Sequence, residues 1–390
     1  MPRTQDRMWH DVGLPDETVE LRADVRRAVE NAVVPHATEI GQREETADSF
    51  PWQAFRGLAD EGVFAIPFGP EFGRGLQYPL LGTCTATEEI AYHSSSVAGV
   101  YDGQCILAPK ALSFGSEELQ ARLVPGLISG ELVLAFATTE PDASSDLSVE
   151  AMQTVAAETD DGFVVTGRKR WITNSPVADW VAVLCRSGRG MTMLAVDLKM
   201  GHRGQLTADI VFDNVIVPRA NVLGEPGHGL SVALATLTFG RIGIAAAGVG
   251  VTQAALDLAV ERMRTRHVFG KPLGAMQHWQ YRLAERATEL ECARNLYQKA
   301  ALRVDSGDRH AEPEASMAKS FATRLAGDMA RDAIQVYGAY GFARQVSETG
   351  ETFRPEELYR DAKILEIFEG ANEVLQWVIA RQLIGRDVTG

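Results

Sequence analysis

Gln153-Thr-Val-Ala-Ala-Glu-Thr-Asp-Asp-Gly-Phe-Val-Val-Thr166 is the stretch that decides the fold class. Two short runs rich in β-branched residues flank Asp160-Asp161-Gly162, the signal of a tight antiparallel hairpin. Runs of the same texture lie on both sides: Leu132–Ala137 before it, and Trp180–Cys185, Thr192–Asp197 and Leu206–Phe212 after it. Turn residues separate them, so the zone reads as antiparallel β and not as βαβ units.

Outward from this zone the texture is helical. Asp16–Val34 carries apolar residues at Val19, Val25, Val29 and Val33 and is expected to stop at Pro35. Leu80–Tyr92, Val97–Phe114 and Ser116–Ile128 follow, the last with Ser116 placed as an N-cap. Beyond Gly229, Leu230–Arg264 is rich in Ala, Gly and Leu, as closely packed bundle helices are. Gln277–Val304 and Pro313–Tyr337 are amphipathic, and Asn372–Ile384 ends before Gly385. The expected architecture is mainly α with a central antiparallel β domain. Its zones are a helical domain over 1–130, a β domain over 131–228 and a four-helix bundle over 229–390.

A chain of 390 residues exceeds one ordinary core. Its net charge of −14 disfavours non-specific binding of nucleic acid or anionic lipid. Cys84, Cys105, Cys185 and Cys292 are scattered, and no Cys/His cluster or HExxH is present, so neither a disulfide framework nor a metal is expected. The N-terminal residues have no apolar leader pattern, and no membrane span is expected; the reading is a cytoplasmic enzyme. There is no GxGxxG after a strand and no P-loop. Gly248-Val-Gly250 sits in a helical pattern and reads as tight helix packing.

Five segments could carry chemistry, and each alone has an ordinary alternative. Phe136-Ala-Thr-Thr-Glu-Pro-Asp-Ala-Ser-Ser-Asp146 leaves a strand into a turn full of hydroxyls, which could bind a polar ring edge or could be a plain loop exit. Trp171-Ile-Thr173-Asn174 offers an aromatic wall and a hydroxyl, or a half-buried strand end; the basic Gly167-Arg-Lys-Arg170 before it reads as a solvated hairpin. Arg266-His-Val-Phe269 through Gln277 puts a cation, a ring and an amide in one helix–helix break. Gln335-Val-Tyr-Gly-Ala-Tyr-Gly341 permits close backbone approach or merely caps a helix. Tyr359-Arg-Asp-Ala-Lys-Ile-Leu-Glu-Ile-Phe-Glu369-Gly-Ala-Asn372-Glu373 holds a glutamate among apolar neighbours, which would raise its pKa if buried and mean little if exposed.

Taken jointly, in this order and spacing, these segments resemble the acyl-CoA dehydrogenase family from about residue 15 to 386. Thr139-Glu140-Pro141 with Ser145-Asp146, and Tyr359-Arg-Asp-Ala-Lys through Phe368-Glu-Gly, look like its two signatures; Phe239-Gly-Arg241-Ile-Gly-Ile-Ala is similar to the short-chain branch. The resemblance implies FAD as cofactor and a homotetramer that passes electrons to an electron-transferring flavoprotein. It implies that Phe136, Thr138 and Thr139 contact the isoalloxazine edge, with Trp171 and Thr173 at its other side. Arg266, Phe269 and Gln277, joined by Gln335 and Gly338, would hold the pyrophosphate and adenosine of a neighbour's FAD, and Asn372 would help hold FAD. Ser145 would help hold FAD and, with Arg241, would contact the CoA portion, and Gly370 would lie at the substrate. Glu369 would remove the α-proton. The position that supplies the base in the isovaleryl and long-chain branches is Gly240 here, which leaves Glu369.

Four departures bear on this expectation. Thr238 stands where the short-chain pattern has an aspartate, Phe368 replaces a common tyrosine, and Ala339 replaces a usual glycine. The segment 345–355 is also longer than usual. The expected reaction is α,β-dehydrogenation of a short or branched acyl-CoA. The alternatives are oxidation of an acyl group on a carrier protein, a flavin oxidase or monooxygenase on the same fold, or a redox-inactive structural subunit.

Overall fold

Helices α1 (Asp16–Ala32), α2 (Val34–Gln42), α3 (Trp52–Asp60), α4 (Pro79–His93), α5 (Ser95–Asp102), α6 (Ala108–Leu112) and α7 (Glu117–Ser129) precede the sheet. The strands are β1 (Leu134–Ala137), β2 (Val155–Glu158), β3 (Gly162–Thr173), β4 (Trp180–Ser187), β5 (Gly190–Asp197), β6 (Thr207–Pro218) and β7 (Val222–Leu223). Then come α8 (Gly229–Thr265), the strand pair β8 (His267–Val268) and β9 (Lys271–Pro272), α9 (Gln277–Asp305), α10 (Glu312–Tyr337), α11 (Ala339–Phe342), α12 (Arg354–Leu365), α13 (Asn372–Ile384) and α14 (Arg386–Thr389). This computed structural model describes residues 3–4, 6, 11, 13–44, 46, 48–143, 145–198, 207–308 and 311–389. Leu206 of the last expected strand and Ser144 of the hydroxyl-rich turn lie outside them. By contact density the chain divides into two compact units: residues 43–79 with 99–240, and residues 1–42 with 80–98 and 241–390.

In the first of these units the sheet runs in the order β6-β3-β2-β4-β5-β7, with β1 on β4. The Asp160–Gly162 hairpin forms as expected, pairing Val155 with Thr166 and Glu158 with Phe163 antiparallel. Expected antiparallel throughout, the sheet is in fact mixed: β1 runs parallel to β4, Leu134 opposite Trp180 and Ala137 opposite Val183. An apolar run reports burial and carries no record of its partner's direction. Alternation does report faces. In β4, Val181, Val183 and Cys185 enter one core with Phe163, Val165 and Phe212, while Ala182 and Leu184 enter the other with Leu119, Leu123 and Leu127 of α7. Ser116 caps α7, its hydroxyl accepting from Leu119 N at 3.2 Å.

The other unit is helical. Its first helix ends at Ala32, but the chain does not stop at Pro35: α2 starts at Val34, with Pro35 in its first turn, where a missing N–H costs nothing. Val19 is exposed, and the buried face of α1 is Leu21, Val25, Ala28, Val29 and Ala32. Helix α10 packs against α9, α12 and α13. Gly248 and Gly250 are packing glycines, as expected: a Cβ at Gly250 would stand 2.3 Å from the Glu88 carbonyl, and one at Gly248 3.0 Å from that of Ala322. By length and composition α8 could cross a membrane, but 72% of its most apolar window is buried within the protein, as a core helix is. The segment after Arg266, expected as a helix–helix break, forms the β8–β9 hairpin, with Phe269-Gly270 at its tip.

Candidate functional site

Chemistry-bearing residues gather at a strand exit in the sheet unit and at a turn in the helical unit. At the strand exit, β1 ends at Ala137 and the chain enters Thr138-Thr139-Glu140. Lys169, expected on a solvated hairpin, is fully buried. Alternation from Phe163 and Val165 puts it on the inward face of β3, and its charge is compensated there. Its Nζ donates to Glu140 Oε1 at 2.8 Å and to the Thr138 carbonyl at 3.1 Å, while Glu140 accepts from the amides of Gln153 (2.7 Å) and Thr154 (2.9 Å). Burial opposes both charges; for Glu140 the bonds from Lys169, Thr154 and Gln153 outweigh it and hold the carboxyl below its ordinary range. Arg170 N donates to the Thr139 carbonyl at 2.9 Å. The carbonyls of both threonines are therefore committed to β3, whereas neither hydroxyl has a hydrogen-bond partner among the described residues.

Beside this exit the β3–β6 ladder shifts register between Lys169 and Ile172. Trp171, inside the irregularity, has φ +59° and is 68% exposed. Left-handed backbone costs a non-glycine residue about 1–2 kcal/mol, and an exposed indole gains nothing from burial. Thr173, which ends β3, is half-buried, as is Phe136; Ser145 is exposed in the turn beyond Glu140. Two unbonded hydroxyls, a strained exposed indole and a rigid buried ion pair behind them fit the polar edge and flat face of a flavin ring.

In the helical unit, α12 ends at Leu365 and the turn 366–371 leads into α13. Glu369 has φ +54° and Gly370 φ +97°. The Glu369 side chain is half-buried as a whole, but Oε2 is shut off from solvent and has no hydrogen-bond partner among the described residues. Its backbone N–H also has no acceptor among the described residues. Burial pushes the Glu369 carboxyl up to about 7, although the Lys319 and Arg241 cations pull it down. Arg241 is buried, donates to Glu312 Oε1 at 3.0 Å and leaves its Nε unpartnered. A Cβ on Gly370 would stand 3.7 Å from that Nε, so Arg241, Glu369 and Gly370 form one cluster.

Lys319 joins that cluster and was not anticipated. It lies on the buried stripe Ala315, Ala318, Ala322, Leu325, Ala326, and that helical spacing was its one signal. Asn372, expected near FAD, here accepts from Lys319 Nζ (3.2 Å) and donates through Nδ2 to Thr323 Oγ1 (3.0 Å). Elsewhere in this unit Arg266, Phe269, Gln277, Gln335 and Gly338 are all exposed. Phe269 is 95% exposed at φ +48°, held out on the hairpin tip, and Gln277 Nε2 donates to Tyr281 Oη at 2.6 Å. Arg262, four residues before Arg266, stacks on Tyr337 and Tyr340, 5.1 and 5.4 Å from their centroids. In the sheet unit, the Thr238 hydroxyl donates back to the Leu234 carbonyl at 2.9 Å.

Family models for the N-terminal, middle and C-terminal domains of acyl-CoA dehydrogenase match residues 15–131, 135–215 and 227–384. The chain belongs to the acyl-CoA dehydrogenase family. It is 36% identical over 383 residues to a 3-(aryl)acrylate reductase of Clostridium sporogenes, covering 93% of this chain and 97% of that protein. It is 33% identical over 397 residues to the short-chain specific acyl-CoA dehydrogenase of Rattus norvegicus mitochondria, covering 97% and 92%. Among solved structures, the butyryl-CoA dehydrogenase of Megasphaera elsdenii matches with a TM-score of 0.85 at 31% identity, over 95% of this chain and 99% of that one. The family's enzymes are FAD-dependent oxidoreductases that dehydrogenate acyl-CoA, and this acyl-CoA dehydrogenase family member shares their fold.

Proposed function

We propose that this family member catalyses α,β-dehydrogenation of a short or branched acyl-CoA to the 2-enoyl thioester, with Glu369 as the base that removes the α-proton. The observation that supports this most is the Glu369 turn: a carboxyl oxygen shut off from water and unpartnered, on a residue raised to about 7, beside its own uncommitted N–H. A base poised near neutral pH combines adequate ionisation with adequate proton affinity. The free N–H of the same residue can donate to the thioester oxygen and stabilise the negative charge developing there, which makes the α-proton more acidic. FAD, when bound, supplies the acceptor for the β-hydride. Phe136, Thr138, Thr139, Trp171 and Thr173 hold its ring. Arg266, Phe269, Gln277, Gln335 and Gly338, exposed on one chain, reach the FAD of a neighbour in a homotetramer. Ser145, Arg241 and Gly370 serve the substrate, and the electrons pass to an electron-transferring flavoprotein.

Thr238 motivates a second reading, in which the acyl group arrives on a carrier protein. Its hydroxyl proton goes to its own helix, and the residue presents no carboxylate there as an aspartate would. Anaerobic mixing of FAD-loaded protein with a panel of acyl-CoA and acyl-carrier thioesters decides between them. Loss of flavin absorbance with at least one acyl-CoA is expected. Reduction only by carrier-bound substrates would favour the second reading, and no reduction by any thioester would sink both.

A further inference from the structure

The Glu369–Gly370 turn adopts left-handed backbone at two successive residues, and something must hold it. Among the described residues the one side-chain bond to its backbone comes from Lys319, whose Nζ donates to the Gly370 carbonyl at 2.8 Å. The same Nζ donates to Asn372 Oδ1 at 3.2 Å, on the first residue of α13. Asn372 is fixed in turn by Thr323, one turn along α10 from Lys319, whose hydroxyl donates to the Lys319 carbonyl at 2.8 Å. Lys319 is fully buried. A buried ammonium carries a desolvation cost that a purely apolar residue at this stripe position would avoid.

We propose that Lys319 is a positioning residue for proton abstraction: its ammonium, tied to the Gly370 carbonyl and the Asn372 amide oxygen, fixes the left-handed turn that presents Glu369. This deepens the dehydrogenase reading and rests on it for the identity of the base. The charged groups facing the ammonium are Glu369, Glu366 and Glu373 on the turn and the start of α13, and Arg241 on α8. Burial brings Lys319 down to about 7, Glu369 opposes that, and Arg241 adds to it. The cation in return keeps Glu369 from rising further. Lys319 thus has two separable effects, one through its hydrogen bonds and one through its charge.

Lys319→Met keeps the shape and removes both; Lys319→Gln keeps a donor and removes the charge. In flavin-replete Lys319→Met the limiting rate of anaerobic flavin reduction by an acyl-CoA should fall about tenfold or more, and its apparent pKa should rise by about one unit. Lys319→Gln should show the pKa rise with a smaller loss of rate. A merely structural lysine would lower thermal stability and leave that pKa in place. Hydrogen exchange of the amides over residues 366–373, measured with FAD but no thioester, should be faster in Lys319→Met. Unchanged exchange, or an apparent pKa and rate within about twofold of wild type, overturns the proposal. Should Lys319→Met not retain FAD, Lys319→Gln carries the same readouts. If wild-type protein is reduced by no acyl-CoA, the dehydrogenase reading fails, while the exchange comparison still decides whether Lys319 holds the turn.

Discussion

Replacing Glu369 by Gln separates two consequences of burying that carboxyl. For chemistry the base is lost while the shape remains. A general base contributes about 10²- to 10⁴-fold, or about 3–5 kcal/mol of barrier, so flavin reduction should slow by that factor with FAD retained. For stability the sign is opposite. The carboxyl is raised from 4.5 to about 7, so the folded state binds its proton more tightly than the unfolded chain does. Its favourable contribution is fully present below pH 4.5 and is lost as pH rises through about 7. At pH 8.5 the ionised side chain therefore costs on the order of 3 kcal/mol, and Gln does not pay it. Lys319, itself brought down to about 7 by burial, is mostly neutral at pH 8.5 and adds little cost when the carboxylate is gone, so a gain of about 1–3 kcal/mol is expected, worth a few degrees in Tm.

Stopped-flow reduction and thermal scanning of FAD-saturated protein at pH 5.5 and 8.5 measure both. The wild-type rate should climb with pH through about 7, because only the ionised carboxyl abstracts a proton. The Gln variant should be slow at every pH, and its stabilisation should be larger at pH 8.5 than at pH 5.5. A near-normal rate would remove Glu369 from the role of base. A stability difference equal at both pH values would show that burial does not raise its carboxyl.

Lys169→Met should leave Glu140 buried without its cation and loosen the Thr138–Thr139 exit; FAD affinity falls at least about tenfold, read by flavin fluorescence during dialysis. Undiminished affinity would detach the Lys169–Glu140 pair from the cradle. Gly250→Ala places a Cβ 2.3 Å from the Glu88 carbonyl, so a loss of about 1–3 kcal/mol is expected in thermal or denaturant unfolding; a neutral change would mean that α8 and α4 can separate freely. Phe269→Gly removes a strained, 95% exposed ring, so the stability of the FAD-free chain should hold within about 0.5 kcal/mol while FAD retention drops. If FAD binding and assembly are unaffected, Phe269 has no role in a neighbour's cofactor.

Much of the architecture was legible because local periodicity reports burial. The alternation in Val155–Thr166, the helical spacing of α9 and α10 and the two packing glycines of α8 all carried through. The parallel seat of β1 on β4 was not legible, since 46 residues separate Leu134 from its partner Trp180 and no local pattern encodes that pairing. Lys169 and Lys319 were passed over because lysine is read as a surface residue, although each sits in phase with buried neighbours. For Glu369 the direction was right and the cause was incomplete. Ile367, its apolar neighbour in sequence, is 53% exposed, so tertiary packing and not adjacent residues desolvates the carboxyl.

Backbone conformation adds what no sequence pattern shows. Among the described residues five non-glycine residues have positive φ: Trp171, Asn174, Asn214, Phe269 and Glu369. Asparagine adopts that region readily, so Asn174 and Asn214 need no special cause. The other three do not, and each should relax unless its surroundings hold it. A bulge holds Trp171, a two-residue hairpin tip holds Phe269, and the Lys319 bond to Gly370 holds the turn of Glu369. These are the aromatic wall, the adenosine-side ring and the base named from the family resemblance. Strain and motif coincide at three separate places in the chain, which is hard to explain by packing alone, because Trp171 and Phe269 pack against little. On the proposed reading, bound FAD would cover both rings, which would account for their exposure and strain together.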